Sequence, residues 1–234
     1  MTDLLITENR RLASPCVTPQ ALAWDGKQLW LSSRDLGTLY RIDPPSVAAA
    51  TYGAAGSDGL KIVEEIDPPG VVWAAVLTND GWRFTIGKGL NDDRYVYRYT
   101  AADGFRKLFA CPEFTGSYLS FDGEHLYLSQ WYKGQIHRVD DSGNISRTIE
   151  VGAEICGHTF VDGTLYVLRG RENKDVPNKA EEWRIARLDP SKEKPEVKDL
   201  AKIPFASRSL AFDGEYFWSN HRAANETVAF TVAG

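Results

Sequence analysis

Short runs of alternating apolar and polar residues, rich in aromatic side chains, recur along the whole chain and are divided by Asp-Gly dipeptides. The copies are Leu22-Ala23-Trp24-Asp25-Gly26, Leu119-Ser120-Phe121-Asp122-Gly123, Leu210-Ala211-Phe212-Asp213-Gly214, Thr159-Phe160-Val161-Asp162-Gly163 and Leu77-Thr78-Asn79-Asp80-Gly81. Alternation with a period of two predicts β-strands. Asp-Gly between two such runs predicts a tight hairpin turn, because that turn requires positive φ. The pattern therefore predicts an all-β chain built from hairpins.

The five copies are spaced 40 to 55 residues apart, measured between the turn glycines. Each copy continues into a third strand, such as Leu39-Tyr40-Arg41-Ile42-Asp43, and the first four copies add a more polar fourth strand. The last copy stops after its third strand, and residues 4–8 can supply the missing one. Four antiparallel strands per copy predict a five-bladed β-propeller over residues 1–234, whose ring is closed by the N-terminal strand. The alternative, a solenoid, would need polar capping repeats, and the sequence contains none.

The repeated unit also resembles a known group of proteins. Segments 22–43 and 119–140 share an apolar-Asp-Gly-x-x-aromatic stretch that is followed by Arg-apolar-Asp. They resemble the blades of the propeller group that includes virginiamycin B lyase and the gluconolactonase-like proteins. The shared motif is structural, so the resemblance implies the fold and says little about activity. Most known members have six or seven blades, and a count of five departs from them.

Composition excludes several classes of function. The chain has 234 residues and a net charge of -5, whereas nucleic-acid binders usually carry a strong basic excess. It has no apolar run long enough to cross a membrane and no signal-peptide pattern at its start, so we predict no membrane partner. Cys16, Cys111 and Cys156 form no CxxC pair, which favours free thiols in a reducing, cytoplasmic setting.

The repeat separates structural residues from functional candidates. A residue type that recurs at one place in several copies is structural, as we infer for the turn-forming aspartates Asp25, Asp122, Asp162 and Asp213. A polar residue that occurs once, at the end where the first strands begin, is a better candidate for function. We call this end of the central channel the mouth. Two sets of loops build it: those that precede each first strand, and those that join the second and third strands.

These loops are basic in a chain that is acidic overall. Arg208, Arg34 and Arg169 are the candidate ligands for an anion such as a carboxylate or a phosphate, with Gln20 and Ser117 as polar neighbours. The alternative is a scatter of solvated charges.

An aromatic pair and two histidines complete the candidate site. Trp131-Tyr132 is an aromatic pair in a loop, which can stack on a flat ligand or pack over a blade edge. His158 and His221 come from adjacent blades 4 and 5, with Arg208 between them in the ring. They are the candidate general acid and base.

A catalytic metal is not predicted. The gluconolactonase-like enzymes hold a metal in the channel with acidic and amide side chains, and Gln20, Glu154 and His158 make a poor set by that standard. We therefore predict no cofactor, with a divalent cation in the channel as the alternative. Two insertions, residues 44–58 and 170–182, interrupt blades 1 and 4. The second would overhang the mouth, either as a lid or as a solvated loop.

The function predicted from these features is the binding of a small anionic molecule at the mouth, extended by acid–base chemistry of the lyase or hydrolase type. The alternative is a non-catalytic propeller that binds a protein partner. The two hypotheses differ in geometry. The first requires His158, His221 and Arg208 to converge on one ligand atom, whereas the second requires Trp131 and its neighbours to form an exposed flat patch. Propellers host both kinds of function.

Overall fold

The predicted strands form five four-stranded antiparallel sheets, which confirms the five-bladed β-propeller. The computed structural model describes residues 4–44, 60–88, 93–171 and 182–232. Blade 1 contains β2 (Pro19–Trp24), β3 (Leu29–Ser33), β4 (Leu39–Asp43) and β5 (Lys61–Ile66). Blade 2 contains β6 (Val71–Thr78), β7 (Gly81–Gly87), β8 (Tyr95–Thr100) and β9 (Gly104–Ala110). Blade 3 contains β10 (Leu119–Phe121), β11 (Leu126–Gln130), β12 (Gln135–Val139) and β13 (Ile145–Glu150).

The remaining two blades complete the ring. Blade 4 contains β14 (Glu154–Val161), β15 (Thr164–Arg171), β16 (Glu182–Leu188) and β17 (Lys198–Ile203). Blade 5 contains β18 (Ser207–Phe212), β19 (Phe217–His221), β20 (Glu226–Thr231) and, from the start of the chain, β1 (Thr7–Ala13). Short 3-10 turns span Pro112–Phe114, Trp131–Lys133 and Arg222–Ala224. The first strands of the blades contact one another in the order β2, β6, β10, β14, β18 and back to β2, so they surround the central channel.

Apolar side chains fill the five interfaces between neighbouring blades. Each of the five core clusters combines residues of two adjacent blades, as where Trp30 of blade 1 packs 4.3 Å from Trp82 of blade 2, measured between ring centroids. The second strands β3 and β11 are buried along their length, because both faces of each sheet contact another blade. The aromatic runs of the sequence therefore build the interfaces that hold the ring together.

The Asp-Gly turns form as predicted at the end of the channel opposite the mouth. Asp25 accepts hydrogen bonds from the backbone nitrogens of Lys27 and Gln28, at 2.8 and 2.6 Å, and from the indole of Trp30. Asp213 makes the corresponding bonds in blade 5. The turn glycines have positive φ, +94° at Gly26, which explains the requirement for glycine. These aspartates are structural, as the repeat indicated.

The closing strand lies further along the chain than predicted. β1 pairs antiparallel with β20 from Thr7 to Ala13, whereas the sequence placed this strand at residues 4–8. The outermost strand of a blade faces solvent, so the polar segment suits it. The apolar start instead reaches blade 4, where the backbone nitrogen of Ile6 donates to the carbonyl of Lys202 at 3.1 Å. The N-terminal segment therefore links blades 4 and 5.

The two predicted insertions fall for the most part outside the described residues. The structure consequently does not test the lid predicted for residues 170–182 or the loop predicted for residues 44–58. No helix among the described residues is long and apolar enough to cross a membrane.

Candidate binding site at the channel mouth

Each first strand carries a β-bulge or a similar irregularity near the mouth. The pairing register shifts between Pro19 and Leu22, between Val72 and Ala74, between Ile155 and Gly157 and between Arg208 and Ala211. In blade 3, Ser117 and Tyr118 together face Ser129, which is the same arrangement. A bulge places an extra residue on one strand and turns a side chain in a new direction. Five such irregularities therefore direct side chains into the mouth.

Buried serines on the second strands hold three of these bulges. The hydroxyl of Ser32 accepts a hydrogen bond from the backbone nitrogen of Ala21 at 2.9 Å. The hydroxyl of Ser129 accepts one from the nitrogen of Tyr118 at 3.0 Å. In blade 5, Ser219 donates to the carbonyl of Ser209 at 2.7 Å. These bonds satisfy backbone groups that the bulge removes from the strand ladder, so the geometry of the mouth is fixed by the core.

A cavity of about 300 Å³ opens at the mouth. Its walls are formed by Gln20, Trp73, Arg94, Ser117, Tyr118, Trp131, Glu154, Ile155, Arg208 and Arg222. Most of these residues lie within or beside the bulges, while Trp131 and Arg222 begin the 3-10 turns of blades 3 and 5. Three arginines and one glutamate face the cavity, so its walls carry a positive charge.

Arg222 and Arg208 form the cationic side of the cavity. Arg222 donates a hydrogen bond to the amide oxygen of Gln20, and its Nε is buried with no hydrogen-bond partner among the described residues. Burial, together with the charges of Arg208 and Arg34, holds the pKa of Arg222 below its ordinary value. Arg208 donates to its neighbour's backbone, the Ser207 carbonyl, at 2.9 Å. An anion between these guanidinium groups would relieve their mutual repulsion.

Cys156 lies beneath Arg208. The Nη1 of Arg208 donates to the sulfur of Cys156 at 3.3 Å. Burial raises the pKa of this thiol to about 12, so the thiol stays protonated at neutral pH. The contact therefore orients the guanidinium and does not neutralise it.

Tyr118 lies near both Arg208 and Arg222, and Gln20 is hydrogen-bonded to Arg222. Gln20 donates its amide to the backbone carbonyl of Trp73 at 3.2 Å and also contacts the Tyr118 phenol. Burial raises the pKa of Tyr118, although the charges of Arg208 and Arg222 oppose the rise, so the phenol keeps its proton at neutral pH. Tyr118 is thus a proton donor placed beside two cations.

Arg94 and Trp73, both from blade 2, line the cavity side by side. Its guanidinium carbon lies 3.8 Å from the centroid of the Trp73 ring, which is a close cation–π contact. Its Nη1 donates to the Gly116 carbonyl at 3.0 Å and to the Ser117 hydroxyl at 3.1 Å. Arg94 is therefore held in place, and it covers one face of the Trp73 ring.

The aromatic pair of blade 3 forms part of the rim. The half-buried Trp131 lines the cavity, and its ring packs edge-to-face against Tyr132 at 5.7 Å. Tyr132 is 48% exposed and does not line the cavity, but its hydroxyl donates to Glu113 at 3.0 Å. Lys133 also pairs with this carboxylate. Tyr132 therefore supports Trp131 from outside.

His158 lies in the channel and not among the residues that line the mouth cavity. It is 1% exposed and borders a smaller cavity of about 80 Å³ between the first strands. Its Nδ1 lies 2.7 Å from the Ser120 hydroxyl and its Nε2 lies 3.2 Å from the Tyr118 carbonyl. A carbonyl only accepts, so Nε2 carries the proton and Nδ1 accepts from Ser120. Burial lowers the pKa of His158 to about 3.

His221 also lies apart from the cavity lining. Its Nδ1 is 3.3 Å from a carboxylate oxygen of Glu226 and 3.3 Å from Nη1 of Arg11, and its ring packs on Phe205. The structure therefore does not bring His158 and His221 together on one ligand atom, as the acid–base hypothesis required. Their assignment as catalytic residues stays a sequence-based prediction.

Two predicted arginines also lie outside the lining of the mouth cavity. Arg34 pairs with Asp35 at 3.1 Å. Arg169 pairs with Asp199 and borders a separate cavity of about 310 Å³ at blade 4. Of the predicted ligand-binding residues, the cavity brings together Gln20, Ser117, Trp131 and Arg208.

Several lining residues were not among the predicted ligands. They are Trp73, Arg94, Tyr118, Glu154, Ile155 and Arg222. A sequence signal existed for Arg222, since it follows a second strand at the place that Trp131 occupies in blade 3. No such signal marked Trp73 and Tyr118, because an aromatic residue on a first strand is expected to be part of the hydrophobic core.

The mouth does not fit a divalent cation. Among the described residues that line it, Glu154 is the one acidic residue, and the three guanidinium groups would repel a cation. No cluster of three or more His, Cys, Asp or Glu side chains suited to a metal occurs in the part of the chain that the structure describes.

Comparison with solved structures finds proteins whose fold is similar to this ring of blades. The chain is similar in fold to virginiamycin B lyase. The match to the Staphylococcus aureus protein has 15% identity, covers 96% of this chain and 99% of that one, and gives a TM-score of 0.52. This finding confirms the resemblance that the blades indicated.

Other solved structures share the fold as well. The PQQ-bound aldose sugar dehydrogenase from Streptomyces coelicolor matches at 14% identity and a TM-score of 0.56, over 97% of this chain and 98% of that one. Hydrazine synthase from Kuenenia stuttgartiensis matches at 12% identity and 0.56, over 90% of this chain and 64% of that one. At such low identity these matches show the fold alone. No family model and no curated protein matches the sequence.

Proposed function

We propose that the protein binds a small anion in the mouth cavity, with Arg208 and Arg222 as the groups that hold its charge. The observation that carries this proposal is the convergence of three arginines and a single glutamate on one cavity, with each of these arginines held by hydrogen bonds to protein groups. Guanidinium groups in fixed positions bind carboxylates and phosphates well, because their N–H donors match the geometry of these anions.

Acid–base chemistry on the bound anion is the extension of this proposal. Two groups of the lining can exchange a proton, the Tyr118 phenol and the Glu154 carboxylate. Two of the structurally similar proteins are, by their names, a lyase and a dehydrogenase. Tyr118 supports the extension, since it keeps its proton and lies near both cations. Turnover would be sought only after a ligand is found.

The alternative, a propeller that binds a protein partner, rests on the blade 3 rim. Tyr132 and Phe114 are both exposed there, at 48% and 44%. The position of Trp131 favours a small molecule over a protein partner, because this rim residue lines the cavity.

The test is calorimetric titration with acetate, benzoate, inorganic phosphate and sulfate. We expect at least one of these anions to bind the wild type. Arg222→Gln should weaken that binding by about 10- to 100-fold, because it removes a charged hydrogen-bond donor. Arg138→Gln removes the same charge from β12, away from the mouth cavity, where Arg138 donates to Ser146 at 2.9 Å, and it should leave the affinity unchanged. Absence of binding by all four anions, or equal affinity in Arg222→Gln, would overturn the proposal.

A further inference from the structure

The mouth cavity has an apolar part next to its charged part. Trp131 and Ile155 line it together with the arginines, and the apolar surface of Trp73 adds to them. A simple inorganic anion would use only the guanidinium side and leave the apolar lining in contact with water. A ligand that carries an apolar body beside its charge would remove both the guanidinium side and the apolar lining of the cavity from water.

Trp131 is the aromatic surface available for stacking. Arg94 already covers one face of Trp73. Trp131 is held by its own loop, because Gly134 closes the 3-10 turn in the left-handed conformation and packs against the backbone of Ala153. Tyr132 and Glu113 support the ring from outside. A preorganised ring loses little entropy on binding, which favours a flat partner.

The cavity volume limits the size of that partner. About 300 Å³ lies at the lower end of the range, roughly 300 to 1,000 Å³, found for small-molecule sites. This space suits a single ring with one acidic group. A second acidic group on the ring would bring another negative charge into a cavity that Glu154 already lines.

We propose that the ligand is a single-ring aromatic monocarboxylate, with its carboxylate at Arg208 and Arg222 and its ring against Trp131. This inference rests on the proposed function and narrows it. Tyr118 and Gln20 border the carboxylate end, where the phenol can donate a hydrogen bond to a carboxylate oxygen.

The experiment compares four probes by calorimetry: benzoate, acetate, inorganic phosphate and the neutral benzamide. We expect benzoate to bind about tenfold or more tightly than acetate, because its ring buries apolar area. Benzamide should bind at least about tenfold more weakly than benzoate, since it lacks the charge. Trp131→Ala should lower the ratio of benzoate affinity to acetate affinity about fivefold or more, whereas Trp131→Phe should retain most of the preference.

The outcomes separate the inference from the function on which it rests. If acetate or phosphate binds as tightly as benzoate, or if Trp131→Ala leaves the ratio of benzoate to acetate unchanged, the aromatic ligand is refuted while anion binding stands. If none of the charged probes binds, both proposals fail. A circular dichroism spectrum and a melting curve for each variant establish that it is folded.

Discussion

Gly157→Ala should lower the free energy of unfolding by about 3 kcal/mol or more, one of the largest effects expected in this chain. A Cβ at this position would lie 2.6 Å from the carbonyl carbon of Ser209 and 2.7 Å from the nitrogen of Leu210. Both atoms belong to the backbone of the neighbouring first strand, which cannot move aside as a side chain does. Overpacking of this kind typically costs about 1 to 3 kcal/mol. A clash with backbone atoms should cost an amount at the upper end of this range, because the backbone cannot move aside.

Urea unfolding of the variant measures this loss. The control is Gly152→Ala, where the added Cβ meets no atom within 4 Å but φ is +72°. That strain alone should cost about 1 kcal/mol. Equal midpoints for the two variants would show that β14 and β18 can move apart at a cost of only about 1 kcal/mol. The larger loss expected from the clash would then be wrong.

His158 should make the protein sensitive to acid. The folded protein holds this imidazole neutral, with a pKa of about 3, whereas the unfolded chain protonates it below an ordinary value of about 6.5. Because the folded pKa is lowered, the contribution to stability is complete above pH 6.5 and is lost as the pH falls towards 3. One pKa unit corresponds to about 1.4 kcal/mol, so about 3 kcal/mol should be lost between pH 7 and pH 4.

A comparison of two variants isolates this contribution. His158→Gln lacks the titrating group, so the difference in unfolding free energy between wild type and variant should shrink by about 3 kcal/mol from pH 7 to pH 4. Ser120→Ala removes the partner of Nδ1 but keeps the imidazole, and its difference from the wild type should stay nearly constant. A constant difference for His158→Gln as well would mean that the channel admits a protonated histidine.

The ring of blades was predictable because it depends on local signals that occur five times. Asp25 and Gly26 mark a turn whatever surrounds them, and the alternating runs on either side mark the strands. The predicted position of the closing strand was too early in the chain, because two segments near the start can both pair with a neighbouring strand. Their order depends on which one faces solvent, and the polar segment from Thr7 takes the outer position.

The candidate site was only partly predictable, because its side chains are directed by bulges. A bulge adds one residue to a strand without changing its composition, so Trp73 and Tyr118 look like ordinary core residues in the sequence. His158 shows the converse case. It occurs in one blade only, which suggested function, but its contacts with Ser120 and the Tyr118 carbonyl join two blades. A residue that occurs once can serve local structure as well as chemistry.

The five bulges also bear on how a binding site of this kind can change during evolution. Each blade contributes to the cavity through a short segment that its own second strand and the adjacent blades hold in place. Positions 20, 73 and 208 line the cavity but lie outside the apolar clusters between blades, so substitutions there would alter the proposed ligand preference while those clusters stay intact. A combinatorial library at these three positions should yield mostly folded proteins with different specificities. Ligand preference could thus diverge rapidly among descendants that keep one architecture.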